Sequence, residues 1–163
     1  MIRFFLIAIF TIWAWMPKGV DGEENGKFKD LLKLGIKSLK SAKHEEAVGY
    51  FQKAIAIDPK NGNGYFQLAF GLHQLNKFSE ALAAYKSGLK LMPDYYYSAE
   101  AYYNMTVAAD KLGSGVDAVK YLKKSLQAYT ERSDYEAVYK IGRYLKELSD
   151  KYPEPHKPSR PFK

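Results

Sequence analysis

The residues from Gly62 to Pro93 repeat a pattern that stands 34 residues upstream, and this self-similarity limits the possible folds more than any single motif does. The stretch reads as two amphipathic helices joined by the turn Asn76–Lys77. The first carries Tyr65, Leu68, Ala69 and Leu72; the second carries Phe78, Ala81, Leu82, Tyr85 and Leu89, and Pro93 ends it. Spacings of three and four place each apolar set on one helical face. Shifted back, Tyr65 becomes Leu31, Leu68 becomes Leu34, Ala69 becomes Gly35, Ala81 becomes Ala47, Tyr85 becomes Phe51, Gly88 becomes Ala54 and Pro93 becomes Pro59. Small residues at Gly35, Ala47, Ala69 and Ala81 let paired helices approach, and the ring at Phe51 or Tyr85 fills the wedge beside them. Pro59 and Pro93 lack an N–H and bias the preceding residue away from helical angles. A looser third copy follows with Tyr102, Met105, Thr106, Ala109, Ala118 and Leu122, and Thr130 stands at the proline position. Its offset from the second copy is 37 residues, so three extra residues fall in Asp94–Ser98, as a longer loop or an added helical turn.

These residues resemble the tetratricopeptide repeat (TPR) family. The resemblance rests on Leu31-x2-Leu34-Gly35 … Ala47-x3-Phe51 … Pro59 and on Tyr65-x2-Leu68-Ala69-x2-Leu72 … Ala81-x3-Tyr85 … Pro93. The degraded third copy is Tyr102-x2-Met105-Thr106-x2-Ala109 … Ala118-x3-Leu122. It implies an all-α, right-handed solenoid of about three helix pairs over residues 28–152, with repeats at about 28–61, 62–95 and 99–132. The expected pairs are Phe28–Ser41 with His44–Ile57, Gly62–Leu75 with Phe78–Leu91, and Ser98–Leu112 with Val116–Tyr129. Asn61-Gly62-Asn63-Gly64 and Gly113-Ser114-Gly115 read as turns. Ser133-x-x-Glu136 has the form of a capping box and opens a last helix over 134–151. Val138, Ile141, Leu145 and Leu148 lie on one side of it, and Lys140, Arg143, Lys146 and Glu147 on the other, as an end piece of an array requires.

The two ends differ from this middle. Arg3 precedes an apolar run, Phe4–Met16, interrupted only by Thr11 and ended by Pro17. Val20-Asp21-Gly22 offers a cleavage point, so residues 1–22 read as a secretory signal, with a retained membrane anchor as the alternative. Residues 23–27 are expected to be a polar linker. Residues 153–163 hold four prolines and read as a basic tail that builds no core.

No catalytic constellation emerges. His44, His73 and His156 are scattered. Gly26-Lys27 lacks the glycine spacing of a phosphate loop, and Phe28 stands where a Ser or Thr is needed. Glu45-Glu46 opens a helix, where carboxylates interact favourably with its dipole. Asn104-Met105-Thr106 is a glycosylation sequon inside an expected helix. Without cysteine there is no disulfide, thiolate metal site or cysteine nucleophile in this sequence. The formal charge of +7 comes from dispersed residues rather than one stripe, so nucleic acid is not an expected partner. No cofactor and no metal site are expected.

The TPR resemblance further implies that the first helices of the pairs line a concave groove that holds a peptide or partner segment. The groove-facing positions would be Lys29, Leu32, Ile36 and Leu39, then Asn63, Phe66, Phe70, His73 and Gln74, then Glu100, Tyr103, Val107, Asp110 and Lys111. Some members grip a C-terminal carboxylate there with Lys, Asn and Arg. Leu32 and Ile36 stand at the first of those positions here, and Phe66 and Tyr103 replace other polar ones. The candidate partner-binding residues are therefore Leu32, Ile36, Phe66, Phe70, His73, Tyr103 and Val107, and the expected partner is an apolar or amphipathic protein segment. Part of the stripe could instead be packing between repeats. Tyr95, Tyr96 and Tyr97, at the insertion, read either as a second contact or as wedges for the third pair. The function expected from these readings is a non-catalytic adaptor, exported to the periplasm or secreted. The alternative is a structural subunit of a membrane complex, anchored through residues 1–22.

Overall fold

The structure, a computed structural model, describes residues 22–153. The signal or anchor segment up to residue 21 and the tail from residue 154 lie outside them. Among the described residues there are seven helices and no strand: α1 (Gly22–Lys40), α2 (His44–Ile57), α3 (Gly62–Gln74), α4 (Phe78–Leu91), α5 (Ser98–Lys111), α6 (Gly115–Glu131) and α7 (Tyr135–Lys151). They form three antiparallel pairs and a last helix, the all-α repeat solenoid read from the sequence.

The repeat positions become the packing positions. Ala47, Ala81 and Ala118 are fully buried, as are Phe51 and Leu122, with Tyr85 nearly so. Gly35, Ala69 and Thr106 are buried on the first helices. A Cβ built on Gly35 would lie 2.3 Å from Phe51 Cε1, so α1 and α2 touch at a distance only glycine permits. Leu34 is 44% exposed, whereas its counterpart Met105 is buried. No earlier pair exists among the described residues to cover α1, which is the edge position of a stack. First helices touch across the repeats, α1 with α3 and α3 with α5, while α2 and α4 do not approach each other. The stack therefore curves with α1, α3 and α5 on its inner side.

Three expectations are corrected. Residues 23–27 are not a linker: α1 begins at Gly22, with Glu23 and Glu24 in its first turn and a 2.7 Å Lys27–Glu23 ion pair one turn apart. Those residues are polar because their turns of helix have nothing to pack on, not because they are non-helical. Gly62 and Gly64 belong to α3, which Asn61 caps by accepting from Asn63 N at 3.2 Å. They are glycines for close approach: a Cβ would meet Met92 Cγ at 2.7 Å in one case and Ile55 Cγ1 at 2.8 Å in the other. The capping box also fails, because Ser133 takes a positive φ of 58° and Asp134 is the N-cap. Of the two options for the insertion, the chain takes the longer loop, since α4 ends at Leu91 and α5 starts at Ser98.

Ser133 belongs to a recurring turn. Ala42, Asn76, Gly113 and Ser133 all adopt positive φ, two residues before the next helix. At each turn the following N–H reaches back five residues, as from Lys77 to Leu72 O at 2.9 Å. This left-handed closure satisfies the last carbonyls of the helix before it. The Asp134 carboxylate then accepts from Ala137 N at 3.1 Å to start α7. Asp134→Ala is expected to cost about 1 kcal/mol in urea unfolding, while Ser133→Ala changes stability by no more than a few tenths. The reverse order would restore the capping box.

Candidate functional site

Between α3 and α5 the inner wall opens into a cavity of 260 Å³. Phe66, Gln67 and Phe70 line it from α3, Glu100, Ala101 and Asn104 from α5, Tyr85 from α4, and Tyr95 and Tyr97 from the inserted loop. The loop is bound to its surroundings. Tyr95 stacks on Phe66 with ring centres 4.0 Å apart and planes 8° from parallel. Tyr97 meets Tyr95 and Tyr96 edge-on at 5.7 and 4.9 Å. Arg132 lies over the Tyr96 ring at 4.6 Å and donates to both oxygens of Glu100, at 2.9 and 3.0 Å. The loop is thus both a wedge and a surface, because Tyr96 and Tyr97 remain 65% and 53% exposed.

The candidate residues divide accordingly. Phe66 is only 5% exposed, so it is not an open groove contact. Tyr95 covers one face of its ring, and the missing side chain of Gly88 lets the ring sink toward α4, where a Cβ would come within 2.9 Å of it. Phe70 and Tyr103 are exposed. Leu32, Ile36 and Val107 are half-buried on the same inner helices, outside the cavity. His73 is drawn to the end of α3, where its ring meets Phe78 edge-on at 5.4 Å and its Nδ1 is buried without a partner. Burial lowers its pKa below the usual histidine value, which favours the neutral ring. Tyr103 leans toward Tyr144 of α7, with ring centres 6.2 Å apart. Asp110 accepts from Lys151 Nζ at 2.7 Å and from Tyr152 OH at 2.9 Å, which closes that end of the groove. The Lys151 hydrogen bond foremost holds the Asp110 carboxyl below its ordinary pKa.

Sequence reasoning placed Tyr85 in the core and read Asn104 only as a sequon. In the fold the Asn104 amide donates to Tyr85 OH at 3.1 Å at the cavity's inner end. Burial pushes the Tyr85 phenol well above its ordinary pKa. The sequon lies inside α5 with Met105 and Thr106 buried. Among the described residues no group of three or more His, Asp or Glu could hold a metal ion, and no helix is long and apolar enough to cross a membrane.

Comparison with known proteins agrees with this architecture. The family model for the tetratricopeptide repeat matches residues 38–101. A TPR repeat-containing protein of Methanocaldococcus jannaschii is 31% identical over 109 residues, which is 64% of this chain and 19% of that protein. The chain spans between 15% and 19% of the length of the curated relatives it matches. Among solved structures, the first TPR of Spaghetti bound to an HSP90 peptide is 26% identical. It superposes with a TM-score of 0.62, covering 74% of this chain and 94% of that one. PcrH in complex with the chaperone-binding region of PopD is 15% identical with a TM-score of 0.71, covering 83% and 98% of the two chains. The in-phase repeats, the paired helices stacked on one inner wall and these matches together show that the chain folds as an all-α solenoid of tetratricopeptide repeats.

Proposed function

We propose that this chain is a non-catalytic adaptor that holds an apolar or amphipathic segment of another protein against the inner faces of α1, α3 and α5. One observation carries the reading. Phe70 exposes 40% of its surface at the edge of a cavity lined largely by aromatic rings, and Tyr103 exposes 39% on the neighbouring inner helix α5. Exposed rings beside a pocket are the usual anchors of a protein interface. The Spaghetti domain and PcrH were each solved with a peptide or partner region bound, which supports a segment as the ligand. Leu32 and Ile36, apolar and half-buried on α1, favour side-chain burial over the gripping of a terminal carboxylate.

Selection from a displayed random-peptide library tests this. Enriched peptides should bind the Phe70→Ala/Tyr103→Glu protein about 100-fold more weakly, the combined effect of two anchor contacts. Unchanged circular dichroism would exclude misfolding. Equal binding by both proteins, or no enrichment at all, overturns the reading.

Export is the second part of the proposal. It rests on Arg3, the apolar run Phe4–Met16 and the small-residue exit at Gly22. N-terminal sequencing of the protein from cell fractions decides it. A start at Glu23 outside the cytoplasm supports export, whereas an intact Met1 in the membrane fraction favours the anchored subunit.

A further inference from the structure

We propose that the cavity behind Phe70 is a socket for one neutral aromatic side chain of the bound segment, built by the tyrosine insertion. The proposal rests on the reading of the inner face as a docking surface and specifies its anchor.

The insertion and the cavity coincide. The third copy stands 37 residues from the second, and the additional residues carry Tyr95 and Tyr97 to the side of α3. Tyr95 fixes one wall by stacking on Phe66 at 4.0 Å, and Tyr97 stands edge-on to it. Phe70 forms the facing lip one turn along α3 from Phe66. Ring faces and ring edges thus line much of an open space of 260 Å³, enough for a single large side chain.

The polar groups decide the charge of the occupant. Glu100 is a wall residue, yet Arg132 holds both of its oxygens. A lysine or arginine side chain would have to compete with Arg132, whose Nη1 already donates to both Glu100 oxygens, and a carboxylate would approach another carboxylate. Burial foremost raises the pKa of Tyr95, which keeps its phenol neutral at ordinary pH. What remains is a neutral lining with Asn104 and Tyr85 joined by a hydrogen bond at the inner end. An indole or phenol fits such a lining, since offset and edge contacts between rings add to simple burial and its polar tip needs a partner.

The socket also stands ready-made. Ser98 N donates to Tyr95 O at 2.9 Å, and Tyr95 N donates to Met92 O at 3.3 Å. Arg132 covers Tyr96 and donates to its carbonyl at 3.4 Å. Binding therefore does not have to order the loop.

The test is an NMR titration of the isotope-labelled protein with N-acetyl-tryptophanamide, N-acetyl-leucinamide and N-acetyl-lysinamide. The tryptophan compound should shift the amides of Tyr97, Glu100 and Ala101 and the Asn104 side chain, with a dissociation constant on the order of millimolar. It should bind about tenfold more tightly than the leucine compound, and the lysine compound should leave these signals in place. Tyr97→Ser removes an exposed ring and should abolish the shifts without altering signals from α1 and α7. Absent shifts, a leucine compound that binds as well, or an indifferent Tyr97→Ser protein would overturn the proposal. If the socket fails while selected peptides still require Phe70 and Tyr103, the groove stands with a different anchor. If neither the compounds nor any peptide binds, the groove reading falls with it.

Discussion

Phe51→Ala is expected to lower the free energy of unfolding by about 3–5 kcal/mol, the largest effect of any single truncation in the first two pairs. Phe51 is fully buried, and its ring lies against Gly35 of α1 on one side and near Gly71 of α3 on the other. Removing it opens a void where three helices meet, and the surrounding backbone cannot collapse without tilting α1. A small domain has only about 5–15 kcal/mol in total, so urea unfolding should shift to a much lower midpoint with little change in slope. The same contact predicts a coupling. Gly35→Ala gains helix propensity, yet its new methyl group would meet the Phe51 ring, so overpacking should make it destabilising by about 1–3 kcal/mol. In a Phe51→Leu background the methyl group has room, and the cost of Gly35→Ala should shrink. If the two substitutions add with no interaction, the packing at this junction is not what the close contact implies.

These expectations rest on positions that the sequence exposes through its period. Ala47, Ala81 and Ala118 repeat, and all three are fully buried. Phe51, Tyr85 and Leu122 repeat, and each fills the wedge of its pair. A pattern of this kind is legible because the same packing problem is solved three times, so one copy explains the next. What breaks the period is where reading by pattern fails. Phe66 occupies a position between packing residues and was expected in the open groove, but the loop that covers it has no counterpart in the first two repeats. Asn104 carries no periodic signal, and its partner Tyr85 is a packing residue whose hydroxyl alone reaches the cavity. The start of α1 fails for another reason. Glu and Lys form a helix about as readily as most apolar residues, and periodicity records only the turns that have something to bury. At α7, Ser133 and Asp134 both qualify as N-caps by type, and only the left-handed backbone at Ser133 decides between them. Phe70 and the tyrosine run, which line the cavity, were thus legible in the sequence, while the other walls depended on contacts across the insertion.

The second large effect belongs to the other end of the stack. Leu148→Ala should remove about 2–5 kcal/mol of packing, because Leu148 is 2% exposed on the face that α7 turns inward with Ile141. The global midpoint should nevertheless move less than it does for Phe51→Ala. In a linear array each unit is held by its neighbours, and the α7 backbone lies close to α6 alone, reaching α5 only through side chains at Tyr103 and Asp110. Once the cost exceeds the docking energy of α7, the protein should simply release that helix. Hydrogen exchange separates the two outcomes: amides of α7 should exchange much faster, those of α6 moderately faster, and those of α2 to α4 as in the wild type. A uniform acceleration across all seven helices would instead mean that the array unfolds as one unit and that α7 is not a separable cap. Release would also break the contacts at the groove's end, where Lys151 and Tyr152 bond Asp110 and Tyr144 leans on Tyr103. Gly115 belongs to the same junction, since a Cβ there would lie 2.1 Å from Tyr152 Cδ1. Gly115→Ala should therefore loosen the end of α7 without touching Leu148. If it reproduces the exchange pattern of Leu148→Ala in milder form, the cap is held from both its apolar face and its C-terminal end. Tyr103 then owes its place in the groove to α7 as well as to α5.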